Sequence, residues 1–270
     1  MRLDRQLAYR VSAAVIAVAL VAGTIVIWAS LGKKHAVPSG CRVTATSTHY
    51  AIELAQAANA TTIAAVGKRL ALPDHAVTIA LATALQESQL KNLSYGDRDS
   101  VGLFQQRPSQ GWGTTAQIMQ PDYAATAFFK ALGRIQGWQA MSVTDAAQAV
   151  QHSDAPEAYA SWEPLARALA IAATGEAPAA LACEFAVVHS ALPPASPVSA
   201  LQKQLGRAPL ATPVSATEGW TVATWLVGHA EQYRISTIRY GGREWTPDGR
   251  WRPVRSNAPG VRFTQDPAGS

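Results

Sequence analysis

Between residues 50 and 175 the apolar side chains of this chain return every three or four positions, and that rhythm commits the region to packed helices. Ile52, Ala55, Gln56 and Asn59, followed by Ile63, Val66 and Leu70, give a helix-rich entry over residues 50–72. Pro73 and Asp74 then supply a start signal, because proline is tolerated in a first turn and an acid there complements the helix dipole. Residues 121–132 read as a helix with Tyr123, Ala127, Phe128 and Leu132 inward. Another begins at Asp145, and an alanine-rich one over 162–174 stops at Gly175. No alternating strand pattern appears before residue 215. An apolar fraction of 48% in 270 residues is enough for a real core. The expected fold class is therefore mainly α.

The chemistry concentrates in residues 80–110 (ALATALQESQLKNLSYGDRDSVGLFQQRPSQ). Ala76, Ala80, Thr83 and Glu87 share a helical stripe, so Glu87 ends a row of small, mostly apolar side chains. A carboxyl at such a boundary is partly removed from water, which disfavours its charged form and suits a general acid. The loop that follows carries Asp97 and Asp99, the two nearby carboxylates. They suit turn and cap chemistry, or the second carboxylate or water-positioning group of a hydrolase. Gly102 suits a close backbone approach, and Trp112, in the loop after Pro108, is either a stacking platform for a sugar ring or ordinary packing.

Glu87-Ser88, with Gly102-Leu103-Phe104-Gln105 after it, resembles the glutamate-serine and glycine-leucine-hydrophobe-glutamine motifs of soluble lytic transglycosylases and related lysozyme-like domains. The longer string GDRDSVGLFQQRPSQGWG is similar to an actinobacterial wall-associated lysozyme-like family. The stretch 147–159 stands where transglycosylases carry alanine-tyrosine-asparagine-x-glycine. Here Ala149-Val150-Gln151-His152-Ser153 replaces it, without the tyrosine or the asparagine. The resemblance covers about half the chain and implies a helical lysozyme-like domain over 41–183 that cleaves peptidoglycan glycan strands. Glu87 would be its single acid and base. Substrate contacts would come from Ser88, Asp97, Asp99, Gly102, Phe104, Gln105, Gln106, Trp112, Gln151 and Tyr159. No cofactor or metal is implied.

Residues 1–10 carry Arg2, Arg5 and Arg10 against Asp4, and residues 11–32 have no charge at all. At ~20 or more apolar residues this run is long enough to span a bilayer. A cleaved signal peptide is the rival, with Trp28-Ala29-Ser30 as part of its cleavage site. The length of the run, and its passage straight into Lys33-Lys34, favour a retained anchor with residues 33–270 outside the cytoplasm. The two cysteines, Cys41 and Cys183, bracket the lysozyme-like region, and a disulfide between them suits that oxidising compartment.

Residues 191–215 are rich in proline, alanine and serine and read as a semi-extended linker. Residues 216–270 shift to tryptophan and arginine and read as a small α+β module, with an amphipathic helix over 220–231 and a hairpin around Gly241-Gly242. That module faintly resembles the carboxy-terminal domain of actinobacterial wall hydrolases of zinc-peptidase ancestry, but the ligand positions hold no histidine or aspartate. His229 by itself makes no metal site. The excess of 23 basic over 18 acidic residues fits an anionic wall polymer or a membrane surface, and no nucleotide-binding or helix-turn-helix pattern supports nucleic acid. Two other readings carry through. One is a wall-binding scaffold that keeps the fold without the activity. The other is a wall-opening part of a secretion or conjugation machine, with partners in that machinery.

Overall fold

Helix α1 (Leu54–Arg69) is buried on every side from Ala60 to Gly67, as its run of alanine, threonine, isoleucine and valine allows. Its start is fixed by Gln56, whose side-chain oxygen accepts the Glu53 N–H at 2.7 Å, and its last turn carries Lys68 and Arg69 against the dipole. Helix α2 (Asp74–Ser88) is likewise buried all round from Ala76 to Leu85. The structure, a computed structural model, describes residues 39–152, 156–187, 194–208, 210, 215–255 and 259–266. The anchor expected over residues 11–32 lies outside them. Among the described residues no helix is long and apolar enough to cross a membrane.

Around this pair stand α3 (Thr115–Ile118), α4 (Pro121–Leu132), α5 (Val143–Gln151), a 3-10 segment (Pro156–Trp162) and α6 (Glu163–Ala173). α5 and α6 pack on α2, and α4 packs mainly on α1. Two further helices, α7 (Val198–Leu205) and α8 (Ala216–Gly228), also pack on α1.

The expectation of a mainly α chain is corrected by two antiparallel sheets. β1 (Gly40–Val43), β2 (Tyr50–Ile52) and β3 (Leu181–Glu184) form a three-stranded sheet in the order β2-β1-β3. These strands are too short to show alternation in sequence, and they form because chain segments far apart come side by side. Cys41 faces Cys183 in the β1–β3 register, and the two are joined by a disulfide across a separation of 142 residues. β4 (Ile235–Tyr240), β5 (Arg243–Thr246), β6 (Arg250–Pro253) and β7 (Arg262–Gln265) form the second sheet, in the order β6-β5-β4-β7. The β4–β5 hairpin turns at Gly241 and Gly242, with φ of 55° and 70°, the positive pair that a two-residue hairpin turn of matching twist requires.

The picture of a small module hung on a proline-rich linker is also corrected. The proline-rich stretch contains α7, and Gln204 of α7 accepts hydrogen bonds from Thr62 of α1 at 3.0 Å and from the Trp225 indole of α8 at 2.7 Å. α8 is not amphipathic: every residue from Gly219 to Gly228 is buried. A side chain at Gly228 would meet the Thr61 hydroxyl at 2.6 Å, so α8 lies against the α1 backbone only because that position is glycine. His229 stacks on Trp225 with ring centroids 4.0 Å apart, and its Nδ1–H donates to the Trp225 carbonyl at 2.9 Å. Complete burial pushes its pKa down to about 4, so it sits in the core as a neutral ring. The two sheets are joined as well. The Phe185 N–H after β3 donates to Pro247 at 3.0 Å, and the Trp251 indole donates to Leu181 at 2.9 Å.

Candidate functional site

α2 ends one turn beyond its buried core, and that last turn carries the candidate chemistry. Glu87 is half-buried on the row of Ala76, Ala80 and Thr83, all enclosed. Next to it, the buried Ser88 hydroxyl donates to the Leu103 carbonyl at 2.7 Å, with Ala84 as a second acceptor at 3.1 Å. This bond fastens the 101–106 loop to the helix end beside Glu87. Ser88 is buried outside the groove lining, and its hydroxyl serves the loop.

The loop is closed by reciprocal backbone bonds between Val101 and Gln106, both 3.0 Å, and by the Gly102 N–H donating to Leu93 at 2.7 Å. Gly102 has φ 81°, and a side chain there would meet the Ile118 carbonyl at 3.0 Å, so the glycine serves the fold of the loop. Phe104 points away from any ligand: it is fully buried and stacks on Phe128 with centroids 4.7 Å apart. Its carbonyl accepts the Gln151 amide at 2.9 Å, which ties the end of α5 to the loop.

Gln105 sits at φ 47°, a left-handed conformation that costs a residue with a side chain of order 1 kcal/mol or more. Its amide spans the loop, donating to Gly102 at 3.1 Å and Tyr95 at 3.4 Å. Gly96 makes room for this, since a side chain there would lie 1.8 Å from the Gln105 amide oxygen.

A tyrosine from further along the chain reaches the end of α2. Tyr159, in the 3-10 segment Pro156–Trp162, is fully buried and its hydroxyl donates to Glu87 Oε1 at 2.8 Å. Three residues on, the Trp162 indole donates to Gln86 Oε1 at 2.8 Å. The same segment therefore grips two successive side chains at the end of α2.

Glu87 opens onto a groove of about 820 Å3, lined also by Gln105, Gln106, Gln151, Trp112 and Asp97. That volume falls in the range of small-molecule sites, ~300–1,000 Å3. Trp112 is half-buried on the rim, and its carbonyl accepts the Tyr123 hydroxyl at 3.3 Å. The two aspartates differ. Asp99 is outside the groove, bound by Arg107 at 3.0 Å and by the Ser109 hydroxyl and N–H at 2.9 and 2.7 Å. Those hydrogen bonds, the Ser109 N–H first among them, lower its pKa to about 2. Asp97 lines the groove, but its side chain is 88% exposed and, among the described residues, pairs with Arg98 alone, at 3.8 Å.

Sequence reading missed the opposite wall. Tyr123, Ala127, Lys130, Ala131 and Arg134 line the groove along one side of α4 and its C-terminal turn. The core face of α4 is instead Ala124, Ala125, Phe128, Phe129 and Leu132, so the expected inward placement of Tyr123 and Ala127 is corrected. The signal was present: Tyr123, Ala127, Lys130 and Arg134 fall on one helical stripe that ends in two cations. His152 also lines the groove, from the left-handed residue that caps α5.

Among the described residues no three His, Cys, Asp or Glu side chains come together in a way that suits a metal ion. No model of a known protein family matches this chain, and no curated protein matches it either.

Proposed function

We propose that this protein cleaves the glycan strands of peptidoglycan, with Glu87 as its single acid and base. The observation that carries the reading is a half-buried carboxylate on the wall of a sugar-sized groove, fixed through one oxygen by the Tyr159 hydroxyl at 2.8 Å. Holding Oε1 orients the carboxyl and leaves Oε2 to exchange a proton with substrate.

In its acid form Glu87 gives its proton to the bridging oxygen between N-acetylmuramic acid and N-acetylglucosamine. The bond from C1 to that oxygen breaks, and the oxygen leaves as a hydroxyl on the released strand. The positive charge that builds at C1 is stabilised by the neighbouring acetamido group. Glu87, now a carboxylate, takes the proton of the muramyl 6-hydroxyl as that oxygen bonds to C1. A 1,6-anhydro ring forms and the acid is restored. This course needs no second carboxylate. The state of the two aspartates supports it, because Asp99 is committed to Arg107 and Ser109 while Asp97 is held too loosely to place a water. The Cys41–Cys183 bond supports an oxidising location outside the cytoplasm. A membrane anchor through residues 11–32 and partners in the wall or a secretion machine belong to the same proposal.

The test is a digest of purified peptidoglycan by the full chain beside Glu87→Gln, with products resolved by mass. Anhydromuramyl ends that disappear in the variant are the expected result. Reducing ends without the anhydro form would make the protein a hydrolase. Sedimentation with the wall and no fragments would make it a binding protein.

A further inference from the structure

The groove does not end at α4. A second cavity of about 490 Å3 lies along the same helix, and Tyr123, Ala127 and Lys130 line both. The two spaces therefore share a wall, and the Lys130 side chain on it is exposed. The charges along this path are uneven. Lys130 and Arg134 line the groove four residues apart, both exposed, and neither has an acidic partner among the described residues. Two like charges on one wall repel each other. In the second cavity Arg69 and Lys203 join Lys130, against the single carboxylate of Asp122. Lys203 is paired with Asp122 at 2.9 Å, and among the described residues the Arg69 guanidinium bonds the neutral Thr126 hydroxyl, at 2.8 Å, and no carboxylate. Gln120 adds an amide group of the kind that pairs with peptide bonds, and Gln117 adds its amide N–H, its oxygen accepting the Thr114 N–H at 2.9 Å.

We propose that the two cavities together bind a branched anionic ligand. Its glycan occupies the groove beside Glu87, and a carboxylate-bearing peptide branch crosses α4 at Lys130 into the second cavity. A linear neutral sugar would fill the groove and leave Lys130, Arg134 and Arg69 uncompensated. This proposal rests on the glycan reading above and adds the class of substituent that the site selects. A carboxylate reaches the groove from two sources, a peptide stem or the lactyl group of a stripped muramyl residue, and the second is too short to cross the helix.

The experiment measures binding by calorimetry on the full chain carrying Glu87→Gln, so that cleavage does not interfere. Three soluble oligomers of matched length are compared: stem-bearing glycan, the same glycan with its peptides removed, and a neutral N-acetylglucosamine oligomer. The stem-bearing ligand is expected to bind about fivefold tighter than the stripped one at low salt, as two exposed ion pairs allow, with the difference shrinking as salt rises. Lys130→Gln with Arg134→Gln, both exposed, is expected to remove that difference, with the stem-bearing ligand losing more affinity than the neutral oligomer. Equal affinity for stem-bearing and stripped glycan would overturn the peptide branch. An equal loss for all three oligomers in the double variant would overturn the charge argument, and no glycan binding at all would overturn both this proposal and the glycan reading. Stem-selective binding by a protein whose unaltered form releases no fragments would leave this proposal standing and sink the catalytic one.

Discussion

Tyr159 holds one oxygen of Glu87 from a fully buried position, so removing its hydroxyl tests orientation without changing the acid. A hydrogen bond to a charged partner contributes about 1.5–3 kcal/mol. If the bond acts on the reacting geometry, Tyr159→Phe should lower kcat about 10- to 100-fold and leave KM for a soluble glycan oligomer nearly unchanged. Initial rates across substrate concentrations check this; a change in KM alone would sink it. Gly96→Ala pushes against the Gln105 amide and the Ser100 carbonyl, 2.7 Å from the added carbon. It should reduce cleavage at least tenfold, roughly the 1.4 kcal/mol that separates rates by that factor, while circular dichroism stays native. At this scale the sequence was partly legible. Glu87 was marked by its helical stripe and Gln105 by the motif resemblance, and both line the groove. What spacing did not reveal is that Ser88, Gly102 and Phe104 build the wall from behind. Nor did it reveal that the 3-10 segment folds Tyr159 back onto Glu87, because no periodicity reports a contact made across a turn.

Helices α2, α4 and α6 show what a pattern of apolar residues can and cannot orient. α2 was legible because the Pro73-Asp74 start signal leads into a long apolar run, which the fold buries all round. α4 was not, since Ala124, Ala125, Ala127 and Ala131 offer nearly equal apolar surface on different sides, and only packing decides which is covered. The strands of the first sheet were illegible for another reason: three or four residues cannot display a period of two, and their pairing is long-range. The α1–α8 contact makes its own prediction through His229. Burial lowers its folded pKa to about 4 from the ordinary 6.5, so between those values the unfolded chain binds a proton that the folded one does not. Stability contributed by keeping this ring neutral is therefore full above pH 6.5 and is lost as pH falls towards 4, by about 3 kcal/mol in all. Thermal melts from pH 7 to pH 4 should show this fall, and His229→Phe should flatten it.

On the scale of the whole molecule the disulfide and α8 act on the same core. Cys41 and Cys183 close a loop that contains the groove, Glu87 and Tyr159, and removing such a bond typically costs about 2–5 kcal/mol. Cys41→Ser with Cys183→Ser should lower Tm by about 5–15 °C, at roughly 2–4 °C per kcal/mol for a chain of this size. Calorimetry with and without reductant on the unaltered protein checks the same number. α8 matters at least as much. Its residues Trp220, Val222, Ala223, Trp225, Leu226 and Val227 belong to one hydrophobic cluster with Ile63, Ala64 and Leu81. The carboxy-terminal third is therefore not a cassette. Cutting it away would strip α1 of the helix that lies against its backbone at Gly228, so the groove and the arginine-bearing sheet stand on one shared core.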